Sequence, residues 1–209
     1  EHFYVVGYSY GALIALEITK MLEKQGKRGS LVHIDGAPLF LKKLVIDQMP
    51  TTDADEAVQN VLLSGILRVV FPEEKVDVFT IMKENPTWEA RVEKIIELAK
   101  DQYLYSTDYL RVMANCLFYR IKMVIDYKPN FKDVIKSSIT LIRPNEISIV
   151  DVDEDYGLKK LTSGVVSVKY VDGNHLTMLE NSKLVQIINE LDPALESNRS
   201  FKKHMAITD

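Results

Sequence analysis

Gly7-Tyr8-Ser9-Tyr10-Gly11 sets one hydroxyl between two tyrosines and two glycines, where an apolar β-branched run gives way to a helical pattern. A serine becomes a nucleophile only beside a base and beside donors that hold an oxyanion. A sharp strand-to-helix turn meets part of that need. It strains the serine backbone and sets it at a helix N-terminus, where N–H groups and the positive end of the helix dipole favour negative charge. Glycines are expected at 7 and 11 because side chains there would collide with neighbouring backbone. The backbone N–H of Tyr10 is the first candidate for the oxyanion hole.

The base must come from four histidines. His2 precedes the first strand and His204 lies in a polar C-terminal stretch. His33 sits inside a strand that reads as buried, where a satisfied core histidine is expected. His175, in Asp172-Gly173-Asn174-His175, follows the last strand and precedes the last helix. That is the carboxyl edge of a parallel sheet, where open α/β sheets bind ligands and where Ser9 also falls. His175 is therefore the candidate base.

The acid stays open on the residues alone. In this arrangement the chain order is Ser, then Asp or Glu, then His. Asp35, at the end of the second strand, satisfies it, and so do Asp151, Asp153 and Asp155 in the acidic loop after the third strand. The alternating aspartates hint at a calcium loop, but Gly157 stands one place late and Thr162 occupies the position of the bidentate Glu, so no metal is expected. The one cysteine, Cys116, lies in the apolar stretch Met113-Ala114-Asn115-Cys116-Leu117-Phe118 and is expected to be an inert core residue.

The elements that would position these groups follow from periodicity. Phe3–Gly7 reads as a fully apolar strand; Ala12, Leu13, Leu16, Ile18, Met21 and Leu22 follow at helical spacing; Ser30–Asp35 is a second strand. Strand, helix, strand with tight turns implies a parallel sheet covered by helices, an α/β fold. After Pro50 the pattern changes to three helices: one through Ala57–Val70 with an Asp53/Glu56 capping pair, one from Pro86-Thr87, and one from Thr107. Strands resume at Ser137–Pro144 and Val165–Gly173, and a last amphipathic helix is expected from about Thr177 to Leu191. The organisation expected is a core of 1–50 and 128–192, an all-helical insert at 51–127, and a flexible tail at 193–209.

Composition narrows the class. The 209 residues are 46% hydrophobic and 27% charged, with a net charge of −4, which gives no clustered basic surface for nucleic acid. No run is long and apolar enough to span a bilayer, none reads as a secretory signal, and one cysteine cannot form an internal disulfide. A reducing, cytoplasmic setting is expected. The chain opens at Glu1-His2-Phe3 without a methionine and reads as excised from a longer polypeptide.

These motifs together resemble the thioesterase domain of animal-type fatty acid synthase. The family's G-Y-S-Y-G-A stands here as Gly7 to Ala12, its D-G-S-P as Asp35-Gly36-Ala37-Pro38, and its G-D-H turn with T-L-L-E as Gly173-Asn174-His175 with Thr177-Met178-Leu179-Glu180. The aromatic stretch Leu117-Phe118-Tyr119 corresponds too, and the likeness runs from Tyr4 to about Leu191. Leu176 stands where the family often has Arg. The resemblance implies an α/β-hydrolase that releases a long-chain fatty acid from acyl carrier protein, through Ser9, His175 and Asp35. It needs no cofactor beyond the phosphopantetheine that the carrier protein brings, and its partners are that carrier and the other domains of a multienzyme chain. It also implies sheet strands upstream of the first strand, which are missing here, with the second oxyanion donor among them. Leu62, Ile66, Leu117 and Phe118 of the helical insert are candidates for the acyl groove, against a plainer reading as core packing. The competing readings are a free-standing esterase or thioesterase, and a catalytically silent α/β-hydrolase used as a binding module.

Overall fold

The computed structural model describes residues 2–47, 54–70, 77–99, 106–146 and 152–191. Four parallel strands form one sheet in the order β1 (His2–Tyr8), β2 (Arg28–Ile34), β3 (Ser138–Pro144), β4 (Val166–Val171). The register pairs Gly7 with His33 and Leu141 with Val168, so the strands end close together along one edge. Helix α1 (Gly11–Lys24) connects β1 to β2. By contacts the chain separates into two compact units, Glu1–Leu41 with Lys128–Asp209, and Lys42–Tyr127.

In the first unit, one sheet face is closed by Val32, Ile34, Ile142 and Val171 packing on Met178, Leu184 and Ile187. Leu184 and Ile187 belong to α7 (Ser182–Leu191), the only part of the expected last helix that is α-helical. Thr177–Glu180 is a separate 3₁₀ turn. The break has a local cause. Asn181 is extended, at φ −78° and ψ 122°, and its side chain accepts from the Lys183 N–H at 3.0 Å, which starts a new helix instead of continuing the old one. Helix α2 (Pro38–Ile46) begins directly behind the β2 turn, with Pro38 in its first turn.

The second unit holds, after the end of α2, four helices among its described residues: α3 (Ala54–Val70), α4 (Val78–Glu84), α5 (Trp88–Ala99) and α6 (Thr107–Asp126). Val58, Leu62, Leu63, Trp88, Val92, Ile95, Ile96, Ala114 and Phe118 form its core, with Trp88 stacked on Phe118. Helix α4 was not legible from periodicity. It is seven residues long and starts on Asp77, whose carboxylate accepts from Phe79 N–H and Thr80 hydroxyl. Asp53 of the expected capping pair and the tail 193–209 lie outside the described residues, and Glu56 lies in the first turn of α3.

Two core expectations need correction. Cys116 is exposed. Helix α6 turns Ala114 and Phe118 inward, and a residue two places along from Ala114 faces the other way. It joins Val112, Tyr119 and Met123 in an exposed, mostly apolar line. His33 is fully buried, as expected, but poorly satisfied: the Gly36 backbone acts on its ring, yet neither ring nitrogen makes a well-formed hydrogen bond.

Candidate active site

Strand β1 ends at Tyr8 and α1 begins at Gly11, so Ser9 occupies a two-residue joint. Its φ of +53° lies in the left-handed region that L-residues avoid. Two hydrogen bonds hold it there: Ser9 N–H donates to Ile34 carbonyl at 2.9 Å, and its own carbonyl accepts from Ala12 N–H at 3.0 Å. The flanking glycines are not equivalent. A Cβ at Gly7 would lie 2.4 Å from the Gly11 carbonyl oxygen, whereas a Cβ at Gly11 meets nothing within 4 Å. Gly11 is thus not forced by collision, contrary to expectation. The second close approach is at Gly36, where a Cβ would lie 2.4 Å from the Ser9 carbonyl oxygen. Tyr10 is the N-cap of α1, so its N–H opens the helix at the serine.

Asp35 follows β2 directly, with φ +41°, and its N–H donates to the Ile142 carbonyl at 2.8 Å. Its carboxylate is buried, at 5% side-chain exposure. His175 sits on the turn after β4, and its ring bridges the other two groups. Its Nδ1 is 2.6 Å from Asp35 Oδ2, and its Nε2 is 3.1 Å from Ser9 Oγ. A buried carboxylate on Nδ1 sets the tautomer: Nδ1–H donates to Asp35 and Nε2 accepts from the Ser9 hydroxyl. Three residues far apart in sequence thereby form one continuous line at the carboxyl edge of the sheet.

The competing acids are elsewhere. Asp153 is solvated, at 68% side-chain exposure, and lies 3.8 Å from Lys160. Asp155 is buried, but its carboxylate caps a short 3₁₀ turn, accepting from Gly157 and Lys159 N–H groups at 3.1 and 2.9 Å. Asp151 lies outside the described residues. Of the groove candidates, Leu62 and Phe118 are buried in the helical core and Leu117 packs against it. Ile66 is in α3, with its side chain outside the described part.

Two tyrosines support the line, and neither was singled out from the sequence. Tyr8 stacks on the His175 ring, centroids 4.8 Å apart, and donates its hydroxyl to the His175 carbonyl at 2.7 Å. Burial, then the nearby Asp35 charge, raises its pKa. Tyr156 donates its hydroxyl to Asp35 Oδ1 at 2.7 Å. Tyr8 carried a signal, being inside the serine motif; Tyr156 carried none beyond its place in the acidic loop. A cavity of about 720 Å³ opens at the other end of the sheet, beside Lys24, Arg28 and Lys136 at the start of β2 and β3, away from this chemistry.

A parallel sheet with its serine on a strand–turn–helix joint defines an α/β-hydrolase fold. Within that class, residues 1–195 match the family model of the thioesterase domain, and the chain belongs to that family. Among solved structures it is similar to the Vlm2 thioesterase domain bound with a dodecadepsipeptide, at 15% identity, TM-score 0.54, over 90% of this chain and 65% of that one. It is similar to holo-AB3403, a four-domain nonribosomal peptide synthetase bound to AMP and glycine, at 16% identity, TM-score 0.64, over 90% of this chain and 14% of that one. Human thioesterase 2 matches at 14% identity, TM-score 0.50, over 94% of this chain and 74% of that one. At these identities the likeness establishes the fold. The chain spans 65% of the length of the Vlm2 domain.

Proposed function

We propose that the protein is a serine hydrolase that cleaves a long-chain acyl thioester from acyl carrier protein, in the manner of an animal-type fatty acid synthase thioesterase. The observation that carries this reading is the line from Ser9 Oγ through His175 to the buried Asp35 carboxylate, with contacts of 3.1 and 2.6 Å. Membership of the thioesterase domain family supports a thioester as the bond to be broken. The motifs at Gly7–Ala12, Asp35–Pro38 and Gly173–His175 support the fatty acid synthase type.

The chemistry follows from the geometry. Ser9 Oγ attacks the thioester carbonyl carbon as His175 Nε2 takes the hydroxyl proton, and Asp35 steadies the imidazolium. The Tyr10 N–H donates to the oxyanion. The C–S bond breaks, His175 returns the proton to the pantetheine sulfur, and an acyl-Ser9 ester remains. Water then gives its proton to His175 and attacks the ester, releasing the acid and restoring the Ser9 hydroxyl. No metal or diffusible cofactor enters these steps; phosphopantetheine arrives with the carrier, and a cytoplasmic setting suits such a partner. A long acyl chain needs apolar surface to bind against.

The test compares hydrolysis of palmitoyl-acyl carrier protein with that of an oxygen ester of the same acyl chain. Preference for the thioester, lost in Ser9→Ala with the fold intact, is the expected result. Equal rates on both would favour a general esterase. Failure of a fluorophosphonate to label Ser9 in folded protein would favour a silent binding module.

A further inference from the structure

Asp35 has two carboxylate oxygens, and only Oδ2 faces His175. A carboxylate held through one oxygen turns about its Cβ–Cγ bond, because that torsion is soft. Its other oxygen, Oδ1, accepts the Tyr156 hydroxyl at 2.7 Å. With both oxygens engaged, the carboxylate plane is fixed.

The phenol is itself held from several sides. Its ring lies flat on Phe40, with centroids 3.9 Å apart and planes inclined by 8°. The Arg143 guanidinium covers the ring at 4.3 Å and donates to the Glu154 carbonyl at 2.7 Å. The backbone at Tyr156 has φ +54° and is followed by Gly157 at φ +76°. A β-carbon residue in that region costs about 1 kcal/mol or more and persists only where its surroundings demand it. Asp155 supplies part of that demand by capping the following turn. Tyr156 is 2% exposed, and burial, then the hydrogen bond to Asp35, raises its pKa, so the hydroxyl keeps its proton and donates at neutral pH.

We propose that Tyr156 is a positioning residue for the hydrolytic reaction: its hydroxyl fixes the Asp35 carboxylate so that the other oxygen meets the His175 ring. This rests on the Ser9–His175–Asp35 reading above. The acidic loop therefore contributes to the chemistry through a phenol and not through an aspartate, and Arg143 and Phe40 act on it only by holding that ring.

The test is Tyr156→Phe, which keeps the ring between Phe40 and Arg143 and removes the hydroxyl. On an acyl-carrier-protein thioester, kcat should fall roughly ten- to a hundredfold with KM within about twofold, since acylation geometry is lost and binding is not. The proton NMR resonance of the His175 Nδ1–H, identified by its absence in Asp35→Asn, should broaden or vanish in Tyr156→Phe. Wild-type kcat with an unchanged resonance would overturn the proposal. The resonance needs no turnover: if Ser9→Ala keeps full activity, the hydrolase reading falls, and the resonance still decides whether Tyr156 holds Asp35. Should Tyr156→Phe not fold, fluorotyrosine at position 156 keeps ring and hydroxyl while changing only the donor's acidity. A resonance that follows that acidity supports the link, and one that stays put refutes it.

Discussion

Asp35 and Asp153 both satisfy the order serine, acid, histidine, and what separates them is burial and anchorage. Asp35 is fixed by its strand, and its carboxylate is 5% exposed with both oxygens engaged. Asp153 is solvated beside a lysine. An acid can orient an imidazole only if its own geometry is held. Asp35→Asn should lower kcat by a factor on the order of 10⁴ with KM little changed, because the imidazole is then held in the wrong tautomer. Asp153→Asn should stay within about twofold of wild type on the same steady-state assay. The reverse pattern would move the acid to the loop. Ser9 and His175 were legible because each follows a strand, and strand ends in a parallel sheet share an edge; Asp35 shared that feature with the acidic loop, and the residues alone left the two open. Tyr156 was not legible, because its role depends on where a loop folds back, and no local period records that.

At the scale of elements, the β1–α1 joint separates glycines that look alike in sequence. Gly7→Ala and Gly36→Ala would each push a Cβ to 2.4 Å from a backbone carbonyl oxygen, whereas Gly11→Ala meets open space. Thermal or urea unfolding should show the first two destabilised by about 3 kcal/mol or more. Gly11→Ala should be neutral or stabilised by up to about 1 kcal/mol, since it sits in the first turn of α1 at an ordinary backbone angle. Equal losses at all three would contradict this account of the turn. The lesson about legibility is the same one. The motif told where the turn is, but only the fold shows that Gly36, from the neighbouring strand's turn, makes the second close approach.

Strand β2 carries the element-scale pH dependence. Burial holds His33 neutral and pushes its pKa down to about 4 from 6.5, with the Gly36 backbone opposing that shift in a minor way. A folded-state value below the unfolded one means that the unfolded chain binds the extra proton first. The stability tied to neutral His33 is therefore fully present above about pH 6.5 and is lost as pH falls towards 4, a contribution on the order of 3 kcal/mol. Urea midpoints at pH 7.5 and 4.5 should differ less in His33→Leu than in wild type. That variant should also be at least as stable at pH 7.5, because it removes a buried imidazole that makes no well-formed hydrogen bond. An unchanged pH dependence in His33→Leu would remove His33 as the cause.

For the whole molecule, the two edges of the sheet differ in a way that bears on association. The outer strand β4 carries Ser167 and Lys169, and a lysine on an edge discourages pairing with another chain. Strand β1 is the opposite edge, and no described strand bonds its outer side. From Phe3 to Tyr8 it has no charged residue, and Val6 is 47% exposed on it. Helix α1, which follows, leaves Ile14, Ile18 and Met21 exposed as well. An uncharged edge beside exposed aliphatic side chains is a template for strand addition. The 209-residue polypeptide should therefore self-associate in a concentration-dependent way, seen by light scattering over the micromolar range. Val6→Lys, which leaves the buried face of β1 and the whole Ser9 joint untouched, should shift the population towards monomer without loss of helix by circular dichroism. Ile18→Glu should act in the same direction, and the two together should act more strongly than either, since one blocks edge pairing and the other removes apolar surface. A wild-type chain that stays monomeric at about 100 μM, or a Val6→Lys variant as associated as wild type, would show that this edge is protected by some other means.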